Sequence, residues 1–247
     1  MNIAGHDIGV CDWSLRPETP GELVEQLESL GLSHVQLALS KFVDLSEADR
    51  ADVLGLYENA GIAITAGMLS FADENYASIA SIRRTGGFVS PRLWPERRDR
   101  AIRVAQVAAG MGITLVTAHA GFIPPSRDPD YGQVVSHLSQ LAAAYAEAGV
   151  ELALETGQEK ATELLQFLND LNADNVGVNF DPANMILYGA GSPVEAVATL
   201  GRHIRHVHIK DANPSPQPGI EWGTEVPFGR GSVEVHAFLL RPARCRL

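Results

Sequence analysis

Seven short apolar runs of β type, helix signals between them, and polar side chains gathered on one face of the later runs predict an α/β protein. The expected architecture is a (β/α)8-type TIM barrel with no eighth strand before the C-terminus. The runs are residues 8–15, 34–39, 63–70, 113–121, 151–157, 176–182 and 204–211. Strands that alternate with helical stretches read as repeated βα units around a parallel sheet. At 247 residues and 45% apolar composition, the chain can fill one sizeable core. No Pro/Gly/Ser-rich linker divides it, so residues 1–247 are expected to form one domain.

The first helix signal is Thr19-Pro20-Gly21-Glu22: a capping threonine, proline at the first helical position and glutamate at the third, with Gly31 closing the segment. Ser46 opens a second helix that ends near Gly61. Residues 71–94 are longer and irregular, with Thr85-Gly86-Gly87 and Ser90-Pro91, and read as a loop with a short helix over the exit of the third strand. Asp128-Pro129 opens a helix ending near Gly149, since glycine takes the left-handed C-terminal conformation without steric cost. Ser192-Pro193-Val194-Glu195 repeats the capping device, with Gly201 as its stop. A last helix is expected over residues 232–240.

Composition excludes several classes. The two cysteines, Cys11 and Cys245, are too few for a disulfide framework or a cysteine-based metal cluster and read as reduced thiols. The net charge of -11 repels a polyanionic backbone, which argues against nucleic acid as a partner. The first nine residues have no basic region before an apolar core, and no run approaches the roughly 18 apolar residues of a membrane span. A cytoplasmic protein with no membrane partner is the expectation.

Successive strand residues point to opposite faces, so parity separates a barrel lumen from the side facing the helices. Thr117 and His119 oppose Val116, Ala118 and Ala120; Glu151, Ala153 and Glu155 oppose Leu152 and Leu154; Asn179 and Asp181 oppose Val178 and Phe180; His206, His208 and Lys210 oppose Val207 and Ile209. Glu155, Asp181 and His208 lie at or near the ends of consecutive strands, separated by 26 and 27 residues, one βα unit each. Barrel enzymes place their chemistry at these C-terminal strand ends. Two carboxylates and an imidazole suit a divalent metal, Mn2+, Mg2+, Co2+ or Zn2+, with positions left open for substrate oxygens. Each residue also has a structural alternative. Glu155 could pair with Lys210, Asp181 could cap the turn beside Pro182, and His208 could be a neutral core histidine. His119 is expected to hydrogen-bond substrate or a ligand, and His206 to do so or to pack in the lumen. Lys210 either pairs with Asp211 or contacts substrate.

Leu152-Ala153-Leu154-Glu155-Thr156-Gly157, Asn179-Phe180-Asp181-Pro182-Ala183-Asn184 and His206-Val207-His208-Ile209-Lys210-Asp211 are followed by Trp222-Gly223 and Pro227-Phe228-Gly229-Arg230-Gly231. Together these motifs resemble the sugar phosphate isomerase/epimerase family of xylose-isomerase-like barrels. Trp13-Ser14-Leu15, Thr85-Gly86-Gly87 and His119-Ala120-Gly121 also sit where that family has comparable residues. The resemblance implies that Glu155, Asp181 and His208 match three of four metal ligands, and that Trp13, His119, Asn184, His206 and Lys210 bind substrate. The family's fourth ligand, a glutamate on the eighth strand, has no counterpart here. Glu234 is set in the expected last helix, and the tail over residues 236–247 changes character, with three arginines after Arg230 and no acid after Glu234. An altered or truncated reading of the gene is the expectation for this end, with association through the open barrel edges and homo-oligomers as a consequence.

The implied activity is metal-dependent isomerisation or epimerisation of a sugar, sugar phosphate or hydroxy-keto acid through an ene-diolate, with Glu155 as the catalytic acid/base. Alternatives are metal-dependent dehydration of a cyclic polyol ketone and a catalytically defective sugar-binding protein.

Overall fold

The computed structural model describes residues 2–3 and 6–240. Seven parallel strands form one sheet in chain order: β1 (Val10–Cys11), β2 (His34–Ala38), β3 (Ala63–Leu69), β4 (Leu115–Ala118), β5 (Glu151–Glu155), β6 (Val176–Phe180) and β7 (Ile204–Val207). Each lies within the run expected for it. The sheet curls on itself, because Gln36 of β2 reaches His208, just beyond β7, at 2.8 Å. After β7 the chain makes an antiparallel hairpin, Asp211–Asn213 with Thr224–Val226, and a helix, Val235–Leu240. The expected atypical tail beyond Leu240 lies outside the described residues.

The apolar face of each strand packs against the helices. Val35 and Leu37, Val116 and Ala118, Leu152 and Leu154, and Val178 and Phe180 are all fully buried in one core with Leu23, Leu27, Val104, Leu138, Leu141, Phe167 and Leu200. Each large side chain buried in this way is worth about 1.5–3 kcal/mol. The helix signals work as local chemistry dictates. Thr19 Oγ1 accepts from Glu22 N at 3.1 Å, and Glu22 Oε2 accepts from Glu18 N at 2.7 Å, while Gly31 closes helix Pro20–Leu30 at φ 64°. Ser46 and Asp49 form a reciprocal capping box at the start of Glu47–Asn59.

Three boundaries differ from expectation. The first run keeps only two residues in the sheet, because Asp12 starts a helical turn, Asp12–Leu15, and its carboxylate accepts from Ala38 N at 3.0 Å and Lys41 Nζ at 3.2 Å. Asp128-Pro129 does not open its helix. Asp128 Oδ1 accepts from Asp130 N at 2.9 Å, an Asx turn that delays the start to Tyr131. Gly201 does stop helix Pro193–Leu200 as expected, although it stays right-handed and leads into a 3-10 turn. Glu234 is exposed and precedes the last helix, so it stands outside that helix, contrary to expectation.

The irregular segment over β3 contains the expected short helix, Ile79–Thr85, capped by Ser78. Buried Arg97 anchors the segment: its Nη2 reaches Asp73 Oδ1 at 2.7 Å, its Nη1 donates to Gly87 O, and its guanidinium lies 4.4 Å over Phe71. The Gly86-Gly87 turn presses on Ala120-Gly121, and Phe88 N donates to Ala120 O at 2.8 Å. Gly87 has φ 58°, and a Cβ there would stand 2.1 Å from the Ala120 carbonyl carbon. Gly87→Ala therefore combines left-handed strain, about 1–3 kcal/mol, with a backbone clash. Urea unfolding is expected to show a loss at or above the top of that range.

Candidate metal centre

The strand registers position the cluster. Glu155 pairs with Asn179 and Asn179 with His206, so these three occupy one layer of the lumen. Asp181 and His208 come two residues later on their strands, one pleat nearer the C-terminal mouth. One ligand atom from each of Glu155, Asp181 and His208 lies within 4.8 Å of the others, and all three residues are buried.

Asp181 is held rigidly. Thr156 Oγ1 donates to its carbonyl at 3.0 Å and accepts from its N–H at 2.8 Å. Its Oδ1 accepts from Asn184 N at 2.9 Å and caps helix Pro182–Tyr188. The structural alternative for Asp181 thus describes one of its oxygens only. Oδ2 points into the cluster, 3.4 Å from His208 Nδ1 and 3.2 Å from Lys210 Nζ, yet it accepts no aligned hydrogen bond from the described residues.

Glu155 divides its oxygens similarly. Oε1 faces His208 Nδ1 at 3.4 Å and accepts from Asn184 Nδ2 at 2.8 Å; Oε2 lies 3.6 Å from His119 Nε2 and 3.4 Å from Asn179 Nδ2. Burial alone would raise the Glu155 carboxyl, but His119 and His208 hold it well below the usual carboxylate range. For His208, burial opposes the charge, and the nearby carboxylates of Glu155 and Asp181 outweigh it, pushing the imidazole up to about 12. The His208 Nδ1 atom lies between the two acids, 3.4 Å from Glu155 Oε1 and 3.4 Å from Asp181 Oδ2. Two buried carboxylates, an imidazole nitrogen between them and a buried oxygen lacking an aligned donor fit a divalent cation.

The other expected residues divide. Asn184 bridges Glu155 and, through its Oδ1 at 3.5 Å, Lys210. Lys210 pairs with Asp181 and with Glu225 at 3.2 Å, not with Asp211. Asp211 instead accepts four backbone N–H groups, from Ala212, Gly229, Gly231 and Val233, which pins the loop after the hairpin. His119 lines the cluster, and its Nδ1 is buried without a partner among the described residues. Trp13 meets His208 edge-on, with centroids 6.3 Å apart. His206 is partly buried beneath the cluster, where its Nδ1 bonds Asn179 Oδ1 at 3.0 Å, and burial, helped by His208, lowers it to about 4.

Sequence reasoning did not single out Gln36, a lone polar residue inside the apolar run of β2. It also passed over the aromatic wall in which Tyr188 packs on Trp222 at 4.8 Å and on Phe122 at 5.7 Å, and Tyr76 on His119 at 6.3 Å. Trp222 Nε1 donates to Tyr76 O at 3.2 Å, joining the hairpin to the segment over β3. Only the quoted Trp222-Gly223 motif signalled this wall.

Comparison with known proteins places the fold. The profile of a family described as xylose isomerase-like TIM barrel matches residues 24–241. Among solved structures, a xylose isomerase domain protein from Planctomyces limnophilus is 35% identical, with a TM-score of 0.85 over 88% of this chain and 80% of that one. A xylose isomerase-like TIM barrel protein from Mycobacterium smegmatis, in complex with magnesium, is 17% identical, with a TM-score of 0.70 over 95% and 85%. The 3-keto-D-glucoside 4-epimerase YcjR of E. coli, in apo form, is 16% identical, with a TM-score of 0.70 over 95% and 86%. The last two likenesses concern the fold alone. An uncharacterized protein of Escherichia coli, YihM, is 29% identical over 107 residues, 43% of this chain, and the chain spans about a third (32%) of that relative's length.

Proposed function

The chain belongs to the xylose isomerase-like TIM barrel family, and from this premise we propose that it is a divalent-metal-dependent isomerase or epimerase of a ketose, sugar phosphate or hydroxy-keto acid. The observation that carries the reading is the buried convergence of Glu155, Asp181 and His208, with Asp181 Oδ2 turned inward without an aligned donor. The magnesium complex and the epimerase among the fold neighbours support it.

In this reading Glu155, Asp181 and His208 hold the cation. A bound divalent ion would lower the energy of negative charge developing on a substrate carbonyl oxygen. Glu155 is ionised across the neutral range, and its Oε2, the oxygen turned toward His119, takes the proton from the carbon next to the carbonyl, leaving an ene-diolate. Return of that proton to the former carbonyl carbon, with the hydroxyl proton passing to the former carbonyl oxygen, isomerises the sugar. His119 and Lys210 orient hydroxyl groups at the two sides of the cluster, Asn184 keeps Glu155 in place, and the wall of Tyr76, Tyr188 and Trp222 gives an apolar surface for the sugar's C–H face. Among the described residues no helix is long and apolar enough to cross a membrane, and a small sugar is the expected partner.

The test is solvent deuterium incorporation across a panel of ketoses with Mn2+ added. Metal-dependent exchange into at least one of them is expected. No exchange with any ketose, despite measurable metal binding, would replace the enzyme reading with a sugar-binding protein.

A further inference from the structure

The nitrogen that His208 offers to the cluster depends on a hydrogen-bond chain that starts on the far side of the lumen. Thr117 Oγ1 lies 2.9 Å from Met68 Sδ. A thioether can only accept, so the hydroxyl donates to it and turns its lone pairs toward Gln36, whose Nε2 donates to Thr117 Oγ1 at 2.8 Å. That contact orients the amide and leaves Gln36 Oε1 facing His208 Nε2 at 2.8 Å. Cys11 Sγ, at 3.5 Å from the same oxygen, is a second donor that favours the carbonyl on this side. Asn179 Nδ2 also approaches His208 Nε2, at 3.4 Å, but it is equally close to the charged Glu155 Oε2, the acceptor it serves. Gln36, Thr117, Met68 and His208 are all buried, so water does not compete for these groups.

We infer that Gln36 is a positioning residue: its carbonyl requires hydrogen on His208 Nε2 and thereby reserves the Nδ1 lone pair for a cation shared with Glu155 and Asp181. A carbonyl cannot donate, so the opposite tautomer would set two lone pairs against each other in a low-dielectric lumen. Residues 36 and 208 are brought together by the curl of the sheet, and the contact ties β2 to a trio of candidate ligands at the ends of β5, β6 and β7. The inference rests on the metal reading proposed above.

The experiment uses the full chain with 15N-labelled histidine, loaded with Zn2+, and follows His208 by long-range 1H–15N correlation. Hydrogen on Nε2 and metal on Nδ1 are expected in the wild type. Gln36→Leu, similar in size but without an acceptor, is expected to weaken Mn2+ binding roughly 10–100-fold and to perturb the His208 pattern. Gln36→Glu, which restores an oxygen acceptor, is expected to recover both. Metal on Nε2 in the wild type overturns the inference even if Gln36→Leu does not fold. Unchanged affinity and an unchanged His208 pattern in Gln36→Leu overturn it while leaving the metal reading intact. A wild type that binds no divalent ion overturns both.

Discussion

Asp181→Asn is expected to keep the fold and lose divalent-metal binding. The asparagine oxygen can still cap helix Pro182–Tyr188 through Asn184 N, while an amide nitrogen at the Oδ2 position donates where a cation needs an acceptor. Asp181→Ala also removes the cap, which adds about 1 kcal/mol of destabilisation, so the asparagine variant isolates the charge. Glu155→Ala and His208→Ala each take one donor from the same buried trio. Loss of a supporting residue costs roughly 10–100-fold in metal affinity, so loss of a ligand is expected to exceed the upper figure. Titration calorimetry with Mn2+ measures this directly. Thermal unfolding gives a second readout: the wild type should gain about 2.7 kcal/mol at a metal concentration a hundred times its Kd, and the variants should gain none. Equal affinity in the wild type and all the variants would remove the metal site, and with it the proposed chemistry.

Glu159→Gln is expected to stabilise the protein increasingly as pH rises. Glu159 is buried in the loop after β5, where its Oε1 accepts from Ile123 N at 2.9 Å, and burial raises its carboxyl from 4.5 to about 8. The folded pKa is above the unfolded one, so the folded state holds a proton that the unfolded state has already released between these values. Stability from this group is therefore complete below about 4.5 and declines by about 1.4 kcal/mol per pH unit until about 8, roughly 4–5 kcal/mol in all. Glutamine retains the acceptor for Ile123 and has no proton to lose, so that decline should vanish. Urea unfolding of the metal-free wild type and variant, at points from about pH 5 to pH 9, gives the comparison. A constant difference between the two proteins over this range would show that Glu159 is not held as the neutral acid.

The architecture was legible because its signals are local or periodic. Thr19 with Glu22, and Ser46 with Asp49, make their contacts within a single helical turn, and strand parity divides Leu152 and Leu154 from Glu155 over four residues. One boundary error was local, the Asx turn at Asp128, and others came where a distant partner overrode a local rule. The Asp12 carboxylate, tied to Ala38 and Lys41, turns the first run out of the sheet after Cys11, a competition that the run's own apolar pattern cannot register. The expected pairing of Lys210 with its neighbour Asp211 fails likewise, since backbone donors engage Asp211 and Lys210 reaches Asp181 and Glu225.

Sequence by itself determined the βα alternation, the caps, and the three side chains able to hold a cation, because each follows from the chain's helical and extended repeats and from the side-chain chemistry at the strand ends. Tertiary structure alone decided which Asp181 oxygen faces inward, that His206 bonds Asn179 beneath the cluster, and that Gln36 addresses His208 from across the lumen. These depend on the curl and stagger of the sheet, which bring together Gln36 and His208, 172 residues apart. No repeat within a single strand carries that information.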